Sequence, residues 1–89
     1  TAIEINPRDA EAYFNRGNFY GKKGHYEDAI LDYNKAIDIN PELARAYYNR
    51  GVAHMSLGHR EKACSDWKHA CQFGNCKNYT IAKRTGDCE

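Results

Sequence analysis

Long hydrophobic runs, an excess of charge of either sign and the usual metal-ligand spacings are all missing from this chain. Without a run of about 18 apolar residues there is no membrane span. Thirteen Lys and Arg against twelve Asp and Glu leave a net charge of +1. The chain thus has no broad basic footprint for nucleic acid or an anionic membrane, and neither is expected as a partner. No C-x-x-C, C-x-x-C-H or H-E-x-x-H spacing occurs, so zinc, haem and zincin chemistry lack their ligand sets, and no metal or other cofactor is expected. A Gly-rich phosphate loop and a nucleophile elbow are absent too, which leaves no catalytic constellation and argues against an enzyme.

What is present is a small globular composition: 42% hydrophobic and 28% charged residues in 89. A chain this short buries only roughly 60% to 65% of its unfolded surface, so its core must be thin. Thr1 to Pro7 offers neither a basic n-region nor an apolar h-region, and there is no initiator Met. The sequence therefore reads as a mature or excised piece whose compartment is undecided.

Self-similarity organises the rest. Sliding the sequence by 34 residues aligns Ala10 to Leu43 with Ala44 to Lys77 and makes twelve positions identical, among them Tyr13/Tyr47, Asn15/Asn49, Arg16/Arg50, Gly17/Gly51, Gly24/Gly58, His25/His59, Ala29/Ala63, Asp32/Asp66 and Ala36/Ala70. Within each unit the apolar residues recur at helical spacing, as in Ala29, Ile30, Tyr33, Ala36 and Ile37. Lys23-Gly24-His25 and Leu57-Gly58-His59 break each unit into two helices, and Asn40-Pro41 separates the units. The spacing predicts helices at about 9 to 22, 26 to 39, 43 to 56 and 60 to 73, with a shorter one near 76 to 85.

This unit resembles a tetratricopeptide repeat, whose pattern is W-x2-L-G-x2-Y, then A-x3-F, then P. The first unit supplies Tyr13, Arg16, Gly17, Tyr20, Ala29, Tyr33 and Pro41 at those places, and the second Tyr47, Arg50, Gly51, His54, Ala63 and Trp67. The resemblance implies an all-α fold of antiparallel helix-turn-helix repeats stacked as a short right-handed α-solenoid. It divides the chain into the tail of a preceding repeat (1–9), repeats at 10–43 and 44–77, and the remainder of a capping helix with its tail (78–89). Lys77, Lys83 and Arg84 would give the cap a polar outer face. Such repeats usually need at least three units, so the chain is expected to be cut from a longer array. The Asn-Arg-Gly variant is closer to prokaryotic members.

Arg16 and Arg50 stand where the pattern has an apolar Leu. A buried guanidinium needs a partner, and antiparallel geometry brings Asp32 and Asp66 to its level. The expected pairs are Arg16 with Asp32 and Arg50 with Asp66, with Asp32 to Arg50 as an inter-repeat alternative.

Cys64 and Cys71 occupy the places of Ile30 and Ile37, whereas Cys76 and Cys88 lie in the cap and its tail. A helical rise of about 1.5 Å per residue sets Cys64 roughly 10 Å from Cys71, beyond the separation of about 7 Å that a disulfide tolerates. If the chain folds back through Gly74-Asn75, Cys64 with Cys88 and Cys71 with Cys76 nest as neighbours. Three readings stay open: these bridges, free thiols, or metal binding. Bridges would place the chain outside the cytoplasm and free thiols inside it. His25 and His59 read as polar turn residues, His54 as a half-buried packing residue in the Tyr20 position, and His69 as exposed.

In the family it resembles, first helices line a concave groove that receives an extended peptide or a helix. By position, the groove residues are Glu11, Phe14, Asn15, Asn18 and Lys22 in the first repeat and Arg45, Tyr48, Asn49, Val52, Met55 and Ser56 in the second, with Lys83 of the cap at the far end. Asn18 and Asn49 match two places of the carboxylate clamp of chaperone-binding members, but Phe14 stands where its first Lys would be. The resemblance implies a protein-protein interaction module binding a protein or peptide segment. The competing reading is a structural repeat that self-assembles into a homo-oligomer through exposed repeat faces, Ile3 and Ile5 included.

Overall fold

The computed structural model describes residues 9–85 and Cys88, without the side chains of residues 77, 78, 82 and 85. The expected tail of a preceding repeat, with Ile3 and Ile5, therefore lies outside the described residues except for Asp9, as does the side chain of Lys77. Five helices follow one another: α1 (Ala10–Lys22), α2 (Tyr26–Ile39), α3 (Ala44–Ser56), α4 (Arg60–Gln72) and α5 (Lys77–Thr85). The described residues are all-helical with irregular connections, and consecutive helices pack against each other as a helical repeat solenoid.

Local chemistry sets the boundaries. Asp9 caps α1 rather than opening it, because its carboxylate accepts the Ala12 N–H at 3.1 Å. Gly24 and Gly58 both sit at φ +81°, in the left-handed region that lets the chain leave a helix without a Cβ clash. Pro41 follows Asn40, whose extended backbone (φ −131°) ends α2 and whose side chain accepts the Glu42 N–H at 3.2 Å.

Small residues then decide how closely the helices approach. Ala29, Ala36, Ala63 and Ala70 have no exposed surface. Gly17 and Gly51 each lie flat against the aromatic ring of the partner helix, Tyr33 and Trp67 respectively. The first core cluster joins Phe14, Ala29, Tyr33, Ala36, Leu43 and Ala46, so it already includes a residue of α3. The second holds Ala63, Trp67 and Cys88, with Met55, Cys64 and Tyr79 packed against it. Each repeat thus completes its core with the next element, as a stacked array must.

Two side-chain pairs tie first helix to second. Arg16 donates through Nε and Nη2 to Asp32 Oδ2 and Oδ1 at 2.8 and 2.7 Å, and Arg50 binds Asp66 in the same bidentate way at 2.9 and 2.7 Å. Both carboxylates are buried, and the hydrogen bond to Asp32 holds the Arg16 guanidinium further above its already high range. The inter-repeat alternative, Asp32 to Arg50, does not form: Arg50 gives Nε and Nη2 to Asp66, and its Nη1 donates to Asn34 Oδ1 at 2.8 Å. Asp32→Ala is expected to cost about 2 kcal/mol in urea unfolding. That is less than the roughly 3–5 kcal/mol of a fully buried broken pair, since the Arg16 side chain is 28% exposed and can turn to water. An unchanged midpoint would show that the pair contributes nothing net.

Disulfides join Cys64 to Cys88 and Cys71 to Cys76, with Cα separations of 5.5 and 3.9 Å, and among the described residues no cysteine is free. The free-thiol and metal-binding readings of the cysteines are therefore not what the structure contains. The bridges hold the short α5 and its tail against α4, across the turn at Gly74.

Candidate functional site

The first helices α1 and α3, together with the start and middle of α2, enclose a recess of about 420 Å³. Asn18, Gly21 and Lys22 of α1, Tyr26 and Tyr33 of α2, and Asn49, Val52 and Ala53 of α3 line it. Asn18 is its hub. Its side-chain carbonyl accepts the Tyr33 hydroxyl at 2.6 Å and the Asn49 amide at 2.7 Å, so one oxygen locks three helices together. Tyr33 is almost completely buried, and desolvation first, then the nearby Asp32 charge, pushes its phenol up to about 12 against the opposing effect of the Asn49 contact. It stays a neutral donor at any ordinary pH.

After these bonds, hydrogen-bonding capacity is left over on both amides. The Asn18 amide nitrogen and the Asn49 carbonyl oxygen make no protein hydrogen bond among the described residues. Beside them, Val52 is 39% exposed and Lys22 is exposed at the recess. The site therefore offers paired amide chemistry, an apolar contact and a single sign of charge. Among the described residues no group of three or more His, Cys, Asp or Glu is placed to hold a metal, and no helix is long and apolar enough to cross a membrane.

A family model described as a TPR repeat matches residues 20–58, and one described as a tetratricopeptide repeat matches residues 1–31. Together they run over the recess and both of the first helices. The chain belongs to the tetratricopeptide repeat family. Repeats of this family generally mediate protein-protein interaction and are typically non-catalytic. No curated protein matches the chain.

Within this tetratricopeptide repeat chain, the residues assigned to the groove by position divide into several groups. Asn18, Lys22, Asn49 and Val52 line the recess. Glu11 and Arg45, which are 34 residues apart and so hold the same place in successive repeats, pair with each other on the surface, and the Arg45 guanidinium lies 5.0 Å over the Phe14 ring. Asn15 is exposed without lining the recess. Ser56 returns its hydroxyl to the Val52 carbonyl at 3.0 Å, and Lys83 stands 5.8 Å from the Tyr79 ring.

Phe14 is a correction. It is 5% exposed, packed in the first core cluster with its ring centroid 6.0 Å from that of Tyr33, so it offers no free contact surface. Met55 is half-buried and packs against the second core cluster, and Tyr48 is half-buried with its backbone carbonyl accepting the Trp67 indole N–H at 3.2 Å. Conversely, Gly21, Tyr26, Tyr33 and Ala53 line the recess without having been assigned to it. A signal was available for Gly21: it stands one turn after Asn18 on the same helical face, where glycine costs roughly 1 kcal/mol relative to alanine. Tyr33 reads as core by periodicity, and its hydroxyl bonds Asn18 of the recess.

Proposed function

We propose that the face built by α1 and α3 is a concave groove that binds an extended segment of a protein partner. The observation that carries this reading is the unspent Asn18 donor and Asn49 acceptor, held in place in the recess by the bonds of the Asn18 oxygen to Tyr33 and Asn49. A peptide backbone presents one acceptor and one donor per residue, which such a pair complements without regard to side-chain sequence. Val52 supplies the apolar contact and Lys22 the charge that would bias the choice of ligand. The rigid hub matters energetically, since side chains already ordered lose less entropy on binding.

Selection of a displayed random-peptide library on the immobilised chain tests the reading. Val52→Arg is expected to weaken the selected peptides fivefold or more, in the range of an interface residue costing about 1 kcal/mol or more. Leu31→Arg, at a residue 66% exposed on α2 and outside the recess, should leave them unchanged. Peptides lost with Leu31→Arg and kept with Val52→Arg would move binding off the groove. A chain that enriches no peptide but self-associates in sedimentation would replace the groove with assembly through repeat faces.

A further inference from the structure

The turn between α3 and α4 repeats the backbone of the turn between α1 and α2. In each, a glycine at φ +81° ends the first helix, and the next residue returns its N–H to the carbonyl five positions back: His25 to Tyr20 at 2.9 Å and His59 to His54 at 2.8 Å. Both turns therefore hold the side chains of these two positions next to each other. The first repeat fills them with Tyr20 and His25, ring centroids 6.4 Å apart, and the second with His54 and His59, 5.6 Å apart. Only the second brings two imidazoles together, and their Nδ1 atoms stand 3.4 Å apart.

That distance is at the long limit for a hydrogen bond, but it suits a chelate. Two imidazole nitrogens bound at about 2.0–2.1 Å to one tetrahedral zinc lie about 3.3–3.4 Å from each other. Three further features agree. His59 is the N-cap of α4 yet makes no side-chain capping bond, so its ring is not committed to its own helix. The His54 side chain is only 12% exposed, and this burial holds its pKa below the ordinary histidine range, leaving a neutral ring with a lone pair. Its far nitrogen, Nε2, lies 3.8 Å from Asp66 Oδ2, too far for a hydrogen bond but near enough for the carboxylate charge to favour a cation bound to the ring. Arg50, His59 and Lys62 act on His54 in the sense opposite to Asp66.

We propose that His54 and His59 form a two-histidine chelate for a divalent transition metal of the zinc class at the α3–α4 turn. The protein supplies two ligands, since among the described residues no larger cluster gathers there, and water completes the coordination. The site shares no residue with the recess and stands or falls independently of the peptide reading.

Calorimetric titration of the disulfide-intact chain with zinc chloride, together with the histidine ring resonances in NMR, tests it. A single zinc per chain is expected, with shifts centred on His54 and His59. His54→Tyr installs the residue that the first repeat already uses, and His59→Gln alters an exposed turn position that leaves the fold intact. Each should weaken binding roughly tenfold or more, since losing a ligand costs no less than losing an outer-shell partner. His25→Gln and His69→Gln should change nothing. Tyr20→His should build a second chelate with His25 and double the stoichiometry. The proposal is overturned by a wild-type chain without saturable zinc binding, by equal weakening in His25→Gln, or by a Tyr20→His chain whose stoichiometry stays that of the wild type.

Discussion

Gly51→Ala is expected to destabilise the chain by about 3 kcal/mol, the upper end of what overpacking a core usually costs. A Cβ at this position would come within 2.5 Å of Trp67 Nε1 and 2.7 Å of its Cδ1, with the Ala63 backbone carbonyl at 3.2 Å. Neither neighbour can yield easily. The indole is rigid, 6% exposed and fixed by its N–H bond to the Tyr48 carbonyl, and the carbonyl belongs to α4 itself. Relief therefore needs α3 and α4 to move apart, which opens the contacts of Ala63 and Ala70 as well. In a domain of this size the loss lowers Tm by roughly 12–24 °C, at about 4–8 °C per kcal/mol. Gly21→Ala on the other first helix is the internal control. Its Cβ would meet only the Tyr33 hydroxyl at 3.9 Å, so the substitution should be neutral or stabilise by up to about 1 kcal/mol through helix propensity. Thermal melts of the two variants check the pair. Equal Tm values for Gly51→Ala and wild type would mean that the helices are not in the close contact described.

Opening the Cys64–Cys88 bridge is expected to cost about 3–4 kcal/mol. The bridge spans 24 residues, and closing a loop of that size removes about this much conformational freedom from the unfolded chain. Cys71–Cys76, spanning 5, should contribute about 2 kcal/mol. Location makes the larger bridge decisive. Cys88 is 3% exposed and forms part of the core cluster around Ala63 and Trp67, whereas α5 is only nine residues long, too short to persist alone. Repeat arrays gain stability from nearest neighbours, so the damage should stay at the capped end. The double variant Cys64→Ala/Cys88→Ala should therefore lose amide protection throughout α5 and at Trp67, while α1 and α2 exchange as before. Hydrogen exchange followed by mass spectrometry measures this. Unchanged protection of α5 would show that packing alone holds the cap.

Much of the solenoid was legible because the same physical solution is written twice. Identity at Gly17/Gly51, Ala29/Ala63 and Ala36/Ala70 marks the close helix approaches, and Gly24 and Gly58 mark the turns that have to leave the right-handed region. The Arg and Asp pairs were legible for a related reason: a charge repeated at a buried register demands its counter-charge at the same level of the facing helix. Less of the recess could be read. Phe14 and Asn18 are one turn apart on the same helix, and sequence position gives both the same direction around the axis. The Phe14 ring is buried beside Tyr33 and Arg45, whereas Asn18 is half-buried and lines the recess. Met55 is half-buried and packs against the cluster of Ala63, Trp67 and Cys88, a neighbourhood that includes a residue far along the chain.

The sequence by itself determined the period of 34, the two helices per repeat, their turns and the small-against-large pairing that sets their separation. All of these depend on residues close along the chain or repeated at a constant interval. Only the tertiary structure decided that Asn18 serves Tyr33 and Asn49 at once, that Arg50 gives its third donor to Asn34, that Phe14 is core, and that two histidine nitrogens face each other across a turn. A helical period specifies which way a side chain points but not how near its neighbours come. Saturation of a hydrogen-bonding group is a property of all the atoms around it.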